Sequence, residues 1–351
     1  MSQYWTDLVH RLDPYVPGEQ PRDQQYTKLN TNENPYPPSP RVIEAIEAYD
    51  KGKLKLYPDP ESTGIRAALA AHYGVDAAQV FVGNGSDEVL AHAFQAFFKK
   101  DRPLLFPDIS YSFYPVYCGL YDIEFTTIPL QDDFTIDVRD YRVDNGGIIL
   151  PNPNAPTSRL LPLQAIRELC QNCSGVVLVD EAYIDFGGES AIPLTREFDN
   201  LLVVQTFSKS RSLAGLRLGY AIGHAALIEG LVRIKNSFNS YPIDSIAQTA
   251  AVASIADQTY FNEVCRRITT TRKRLNRELQ ALGFTVEPSA ANFVFARHAS
   301  QSAQTLYLEL KKRGVLVRYF NKPRIDNHLR ITVGTDEEID RLITALVTIL
   351  E

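Results

Sequence analysis

Lys209 is the first residue in this chain with an obvious chemical use. It stands in Thr206-Phe207-Ser208-Lys209-Ser210-Arg211, just after the continuous apolar stretch Leu201–Val204. An amine at a strand's end, inside a pocket, loses part of its hydration and can attack a carbonyl as a Schiff-base nucleophile; the plainer reading is a solvated lysine. Asp180 ends a second apolar run, Val176–Val179, where a carboxylate can hold a cationic nitrogen or a metal. Its commoner use is to cap a helix or a turn. Tyr183 follows three residues later, near enough to share that place. The third element is Val82-Gly83-Asn84-Gly85-Ser86-Asp87. Gly83 and Gly85 make a tight turn between a strand and a helix, where exposed N–H groups and the helix dipole form an anion cradle. Alone this is a turn, and the third glycine of a dinucleotide fingerprint is missing. Ser208 and Arg217 add a hydroxyl and a guanidinium, the latter well suited to phosphate.

Taken together, these elements ask for a ligand with a phosphate, a basic ring nitrogen and an aldehyde. Pyridoxal 5′-phosphate has all three, and a lysine imine with an acidic partner at the pyridine nitrogen is what proteins contribute to it. Asp180 would keep that nitrogen protonated, and Lys209, once displaced, would move protons.

The elements that must position these residues are legible as short apolar runs. Val80–Val82, Pro103–Phe106, Gly147–Leu150, Val176–Val179, Leu201–Val204 and Leu218–Ile222 are continuously apolar, as strands covered on both faces are. Helical stretches are expected over 41–49, 62–73, 86–98 and 165–172, so the expected fold is α/β, a mostly parallel sheet wrapped by helices. In such sheets ligands lie beyond the carboxyl ends of the strands, where the residues above fall. The tail changes character: a long charged helix over 262–282, strands over 292–296, 315–319 and 328–333, and a last helix over 337–350. The expected division is an N-terminal arm 1–30, a large cofactor-binding domain 31–255 and a small α+β domain 256–351.

At 351 residues, with 44 % hydrophobic and 22 % charged residues, the composition excludes a disordered chain. Thirty-six Lys and Arg against 42 Asp and Glu give −6, a field that disfavours nucleic acid and anionic membrane. The pairs and triplets Lys99-Lys100 and Lys311-Lys312-Arg313 read as solvated faces. Cys170 and Cys173 form a C-x-x-C without a second pair or a nearby histidine, so with Cys118 and Cys265 they are expected to be structural thiols, with no metal site. Met1–Trp5 lacks the basic and apolar regions of a leader, and no apolar run reaches the ~18 residues of a membrane span, so a cytoplasmic protein is expected.

With these residues in hand, the chain resembles the fold-type I pyridoxal-phosphate aminotransferases, and among them the histidinol-phosphate aminotransferase family. The resemblance runs from Leu12-Asp13-Pro14-Tyr15, through Leu29-Asn30-Thr31-Asn32-Glu33-Asn34-Pro35 and Asp180-Glu181-Ala182-Tyr183, to His328–Thr335. Its most specific part is Thr206–Lys209 followed by Leu213–Gly219. It implies a homodimer in which Lys209 forms the internal aldimine, Asp180 pairs with the pyridine nitrogen and Tyr183 bonds the ring hydroxyl. It further implies that Tyr111 stacks on the ring, and that N–H groups beside Gly85 at Ser86 and Asp87, with Ser208 and Arg217, hold the phosphate. Tyr57 would reach that phosphate from the other subunit. In Asn152-Pro153-Asn154-Ala155-Pro156-Thr157-Ser158 the sequence departs from the family: Ala155 replaces the usual ring-hydroxyl asparagine, and Asn154 is expected to serve instead. Ser158 replaces a glycine, and Leu56 an arginine.

The implied reaction moves the amino group of L-histidinol phosphate to 2-oxoglutarate in a ping-pong cycle. Arg318 and Arg330 match the family's substrate-anion arginines, with Tyr15 adding a hydroxyl; surface ion pairs are their plainer reading. An aromatic or broad-range aminotransferase, or a decarboxylase of a phosphorylated amino acid, would share this cofactor site. A non-enzymatic module that keeps the fold for binding is opposed by the intact Lys209 and Asp180, and a dehydrogenase rests only on Gly83-x-Gly85.

Overall fold

The computed structural model describes residues 2–21, 23–99 and 101–351, so Met1 of the leader reading and Lys100 of the Lys99-Lys100 pair lie outside the described residues. A seven-stranded sheet runs in the spatial order Val80–Asn84, Leu218–Gly223, Leu201–Thr206, Val176–Asp180, Gly147–Pro151, Leu104–Pro107, Phe125–Ile128. All neighbours are parallel except Leu218–Gly223, which is antiparallel to both of its partners. The expected mostly parallel sheet is therefore present, with one reversed strand.

The apolar runs are continuous because each strand feeds two cores. Successive side chains point to opposite faces: Leu105, Ile148, Leu150, Val177, Val179, Leu201 and Val203 enter one core. Leu104, Phe106, Ile149, Leu178, Leu202 and Val204 enter the other. Truncating one of these, such as Leu178, costs about 2–5 kcal/mol. Helices cover both faces, among them Thr63–Tyr73, Leu163–Asn172, Ala225–Phe238 and Ser245–Ala256. The first ends on Gly74 in the left-handed region (φ 63°). Asp244 caps the last by accepting from the N–H groups of Ile246 and Ala247.

A second, antiparallel sheet is ordered Arg318–Tyr319, Leu329–Thr332, Phe293–His298, Phe284–Val286. The helices Gln258–Ala281, Ala303–Lys312 and Asp336–Leu350 complete its own apolar core. Thr335 and Glu338 form a capping box at the start of the last helix. Thr27–Lys28 pairs in parallel with Val315–Leu316, tying the chain's beginning to this part.

Several expectations need correction. The expected strand 315–319 breaks at Val317 into two short strands that join different sheets. The helix expected to reach Phe98 ends at Ala93 and passes into a π-helical turn, Phe94–Phe98, which buries Phe94 and Phe98. The triplet Lys311-Lys312-Arg313 is not simply solvated: Glu19 takes Lys311, and Glu309 takes Lys312 and Arg313. All four cysteines are buried and free, and burial pushes the Cys170 thiol up to about 12, so it stays protonated and inert. No helix among the described residues is long and apolar enough to cross a membrane.

Candidate active site

Every parallel strand of the large sheet releases its chain toward the same side, and a cavity of about 790 Å³ opens there. That volume lies within the range of small-molecule sites. Its walls come from the segments after Asn84, Pro107, Pro151, Asp180 and Thr206, from Asn30–Glu33, and from the small sheet through Arg318 and Arg330. Tyr15, Ser86, Asp87, Tyr111, Asp180, Tyr183, Ser208, Lys209, Arg217, Arg318 and Arg330 all line it. These are residues from six separate stretches of sequence that only the fold brings together.

Asp180 is the last residue of its strand and only 5 % exposed. Its Oδ2 accepts from the Tyr114 hydroxyl at 3.1 Å and its Oδ1 from the Ala182 N–H at 3.2 Å. Burial pushes the carboxyl up to about 6, opposed by the Tyr114 and Ala182 hydrogen bonds. A buried carboxylate without an ion-pair partner is unfavourable, and no cation among the described residues lies within ion-pair distance of Asp180, Lys209 acting on it only from further off. Lys209 donates from Nζ to the Thr31 carbonyl at 3.3 Å, and its Nζ lies 5.7 Å from the centre of the Tyr183 ring. The main chain on either side of it is clamped: Asn34 Nδ2 donates to the Lys209 carbonyl at 2.9 Å, and Ser210 Oγ donates to Asp185 at 2.5 Å. The Tyr183 hydroxyl accepts from Asn32 Nδ2 at 3.1 Å, and its ring stands edge-on to Phe293.

The glycine turn is closely packed. Gly85 sits at φ +79°, and a Cβ there would lie 2.5 Å from Arg217 Nη2. A Cβ on Gly219 of the reversed strand would lie 2.3 Å from Ser86 N, so glycine alone lets that strand approach the helix start. Arg217 Nη2 meets Asp87 Oδ2 at 3.0 Å, and Tyr111 donates to Asp87 Oδ1 at 3.0 Å. The Arg217 guanidinium and the Tyr111 hydroxyl are thus held by one carboxylate in the first turn of the helix. Tyr15 stacks on Phe113 at 4.7 Å and places its ring 6.4 Å from Tyr111.

Arg318 and Arg330 are cross-strand partners on the small sheet, both reaching the cavity. Arg330 Nη2 donates to the Asn30 carbonyl at 3.0 Å while its Nε is buried without a partner. Burial, reinforced by the neighbouring Arg318, holds its guanidinium below the usual range. Neither arginine has an ion-pair partner among the described residues, so two adjacent cations face the cavity with their charge unneutralised.

Asn154 does not line the cavity, and Tyr57, expected to act from the other subunit, is not among the residues lining this chain's own. Tyr57 is 82 % exposed and stacks on Tyr241 at 4.7 Å, outside the cavity. Asn154 is buried behind the wall, where Ala155 faces the cavity. Its Nδ2 is consumed by the Ile109 carbonyl (2.9 Å) and Thr157 Oγ1 (2.8 Å). Four residues carry site contacts that sequence reasoning gave no role: Thr31, Asn32, Asn34 and Tyr114. The first three lie in the asparagine-rich stretch already singled out as a motif. The signal for Tyr114 is the three-residue spacing Tyr111, Tyr114, Tyr117, which runs from the preceding turn into the helix Tyr114–Tyr121. Among the described residues no group of three or more His, Cys, Asp or Glu is placed to hold a metal.

A covered parallel sheet with lysine, aspartate and glycine turn at its carboxyl ends defines a class of cofactor-dependent transferases, and the sequence bears this out. Residues 24–346 match the family described as aminotransferase class I and II, and the chain belongs to that family. The chain is 62 % identical to histidinol-phosphate aminotransferase 1 of Hydrogenovibrio crunogenus, over 100 % of this chain and 99 % of that protein. It is 58 % identical to the histidinol-phosphate aminotransferase of Aromatoleum aromaticum, over the whole of both. The crystal structure of the Sinorhizobium meliloti histidinol-phosphate aminotransferase in complex with pyridoxal-5′-phosphate superposes with a TM-score of 0.90 at 25 % identity, covering 100 % of this chain and 98 % of that one.

Proposed function

We propose that the chain is a pyridoxal-phosphate-dependent histidinol-phosphate aminotransferase of histidine biosynthesis, transferring the amino group of L-histidinol phosphate to 2-oxoglutarate. The observation that carries this reading is the meeting of Lys209, Asp180 and the paired arginines in one cavity, in a chain that matches relatives of that name along its full length.

The residues fit the cofactor. Asp180 is a buried carboxylate short of a cation, which a protonated ring nitrogen supplies. The turn at Gly85 leaves room for an anion against the N–H groups of Ser86 and Asp87, with Ser208 and Arg217 beside them. Tyr111 is offered to the ring face and Tyr183 to the ring hydroxyl. Pyridoxal phosphate, when bound, supplies the carbonyl that takes up the amine and the electron sink that lets its α-hydrogen leave as a proton. Lys209 would take this proton on Nζ and deliver it to the cofactor's aldehyde carbon within the same half-reaction, and the second half-reaction would run the transfer backward. Thr31 and Asn34 hold its side chain and main chain at the cavity wall. Arg318 and Arg330 receive the phosphate of the amine and then the distal carboxylate of the oxo acid, and Tyr15 closes that end. One pair of cations thus serves both substrates.

The same proposal includes the division into an arm 1–30, a cofactor-binding domain 31–255 and a small domain 256–351, which the separate apolar cores support. It also includes a cytoplasmic homodimer. Tyr57 and Phe238, 82 % and 78 % exposed, and Leu54 and Leu56 are exposed apolar side chains of the kind a second copy would cover, and from that copy Tyr57 would complete the phosphate site. The deciding experiment is turnover with a panel of amines at fixed 2-oxoglutarate. Preference for histidinol phosphate over phenylalanine, with glutamate formed and no carbon dioxide released, is expected. Equal rates on aromatic amino acids would point to a broad-range aminotransferase, and carbon dioxide to a decarboxylase.

A further inference from the structure

We propose that Tyr114 is the positioning residue for Asp180: its hydroxyl keeps the buried carboxylate ionised and oriented toward the cofactor's ring nitrogen. The proposal rests on the reading that Asp180 pairs with that nitrogen.

Tyr114 opens the helix Tyr114–Tyr121 and is completely buried. Its ring stands edge-on to Tyr111 (5.6 Å, 88°) and to Phe106 (5.8 Å, 71°), with Phe94 packed at 6.0 Å. Those neighbours leave the ring one orientation, and in it the hydroxyl has one acceptor, Asp180 Oδ2 at 3.1 Å. An ionised carboxylate at this depth needs donors to replace water. Asp180 has two, the Ala182 N–H, fixed by the chain itself, and this hydroxyl, the side-chain contribution. Burial and the adjacent carboxylate push the phenol well above its ordinary value, so it is a donor at every working pH.

The arrangement is part of a series. Tyr111, Tyr114 and Tyr117 are spaced three apart and donate to Asp87 Oδ1, Asp180 Oδ2 and the Asp87 carbonyl. One face of a short segment therefore sets both the phosphate-side and the nitrogen-side carboxylates. Tyr114 touches two of the cofactor's walls at once, the Tyr111 ring and the Asp180 carboxylate.

The test is Tyr114→Phe, which removes one oxygen and keeps the ring. Tyr141→Phe serves as the control, because the Tyr141 hydroxyl is buried without a partner. Both are purified with bound cofactor, and the cofactor's dissociation constant and the pH midpoint of its visible absorbance are measured. Tyr114→Phe should weaken cofactor binding about tenfold and move the midpoint by about one pH unit, the consequence of losing a hydrogen bond to a charged group. Tyr141→Phe should change neither. An unchanged midpoint and affinity in Tyr114→Phe, or equal changes in both variants, overturns the proposal. Asp180→Asn and the double variant supply the second arm. With the carboxylate gone, removing the hydroxyl should change affinity no further, and an undiminished further loss overturns the coupling. If Asp180→Asn alone leaves the cofactor unaffected, the site reading fails and this proposal with it; if it weakens the cofactor while Tyr114→Phe does not, only the role of Tyr114 falls.

Discussion

Asp180→Asn should make the cofactor-free protein more stable while weakening its hold on the cofactor. The ordinary aspartate value of 3.8 is raised to about 6 by burial, and a difference of about two units corresponds to about 3 kcal/mol. The sign follows from proton counting. Below pH ~4 folded and unfolded chains both hold the proton, and the full contribution is present. Between about 4 and 6 the unfolded chain has lost its proton and the folded chain keeps it, so stability falls as pH rises; above 6 the loss is complete. Asparagine cannot ionise and escapes that loss. It still accepts from Tyr114, but its amide nitrogen faces the Ala182 N–H, which gives back about 1 kcal/mol. The net gain above pH 7 is about 2 kcal/mol, or roughly 2–5 °C in Tm. The assay is thermal unfolding of cofactor-free wild type and Asp180→Asn at equal protein concentration, from pH 4 to 8. Glu181, raised to about 7 by burial, adds a slope common to both and cancels in the difference. Adding pyridoxal phosphate should reverse the order, since only the carboxylate offers the ring nitrogen a charge. An Asp180→Asn protein no more stable than wild type at pH 8, with the same slope between pH 4 and 6, would refute the argument that the site holds an uncompensated carboxylate.

Lys209→Ala should lose at least about a thousandfold in turnover and all borohydride-dependent labelling by the cofactor; labelling that maps to another lysine would contradict the assignment. Arg330→Ala should raise KM about 10–100-fold for histidinol phosphate and 2-oxoglutarate and far less for neutral amines, the mark of a lost charge-assisted contact. Gly85→Ala forces a side chain into φ +79°, at about 1–2 kcal/mol, and into Arg217. Cofactor affinity should drop at least about tenfold with circular dichroism unchanged. Tyr57→Phe should weaken cofactor binding without altering the monomer's fold, and sedimentation of wild type should give twice the chain mass.

The sheet was legible because its strands are buried on both faces, and such strands write themselves as unbroken apolar runs. Phe125–Ile128 was missed for the converse reason: it is the edge strand, exposed at three of its four positions, and carries no such run. The reversal of Leu218–Gly223 has no local signature, because an antiparallel strand buried on both faces has the same composition as a parallel one. In the site, Lys209, Asp180 and Gly85 were legible because each follows or ends an apolar run, which places it at a strand's carboxyl end. Asn154 was inferred from its neighbourhood to a missing asparagine. Adjacent residues in an irregular segment point in different directions, and here Ala155 lines the cavity while Asn154 turns its Nδ2 to Ile109 and Thr157. Asn32 and Tyr114 act on catalytic groups far off in sequence, and such partnerships are invisible until the chain is folded.

The segment Leu29–Asn34 explains how two sheets with separate cores hold one geometry. Its start is drawn to the small sheet's side, the Leu29 N–H donating to the Leu316 carbonyl and the Thr332 N–H to the Leu29 carbonyl. The Asn30 carbonyl takes Arg330, the Thr31 carbonyl takes Lys209, Asn32 bridges Thr332 and Tyr183, and Asn34 clamps the Lys209 main chain. The adjacent residues Asn30 and Thr31 thus tie Arg330 and Lys209, the groups proposed to bind the substrate's anion and to move its proton, to one short stretch of main chain. A change in this stretch should therefore alter substrate preference before it alters stability, because most of its polar contacts serve the cavity and few of its side chains serve either core.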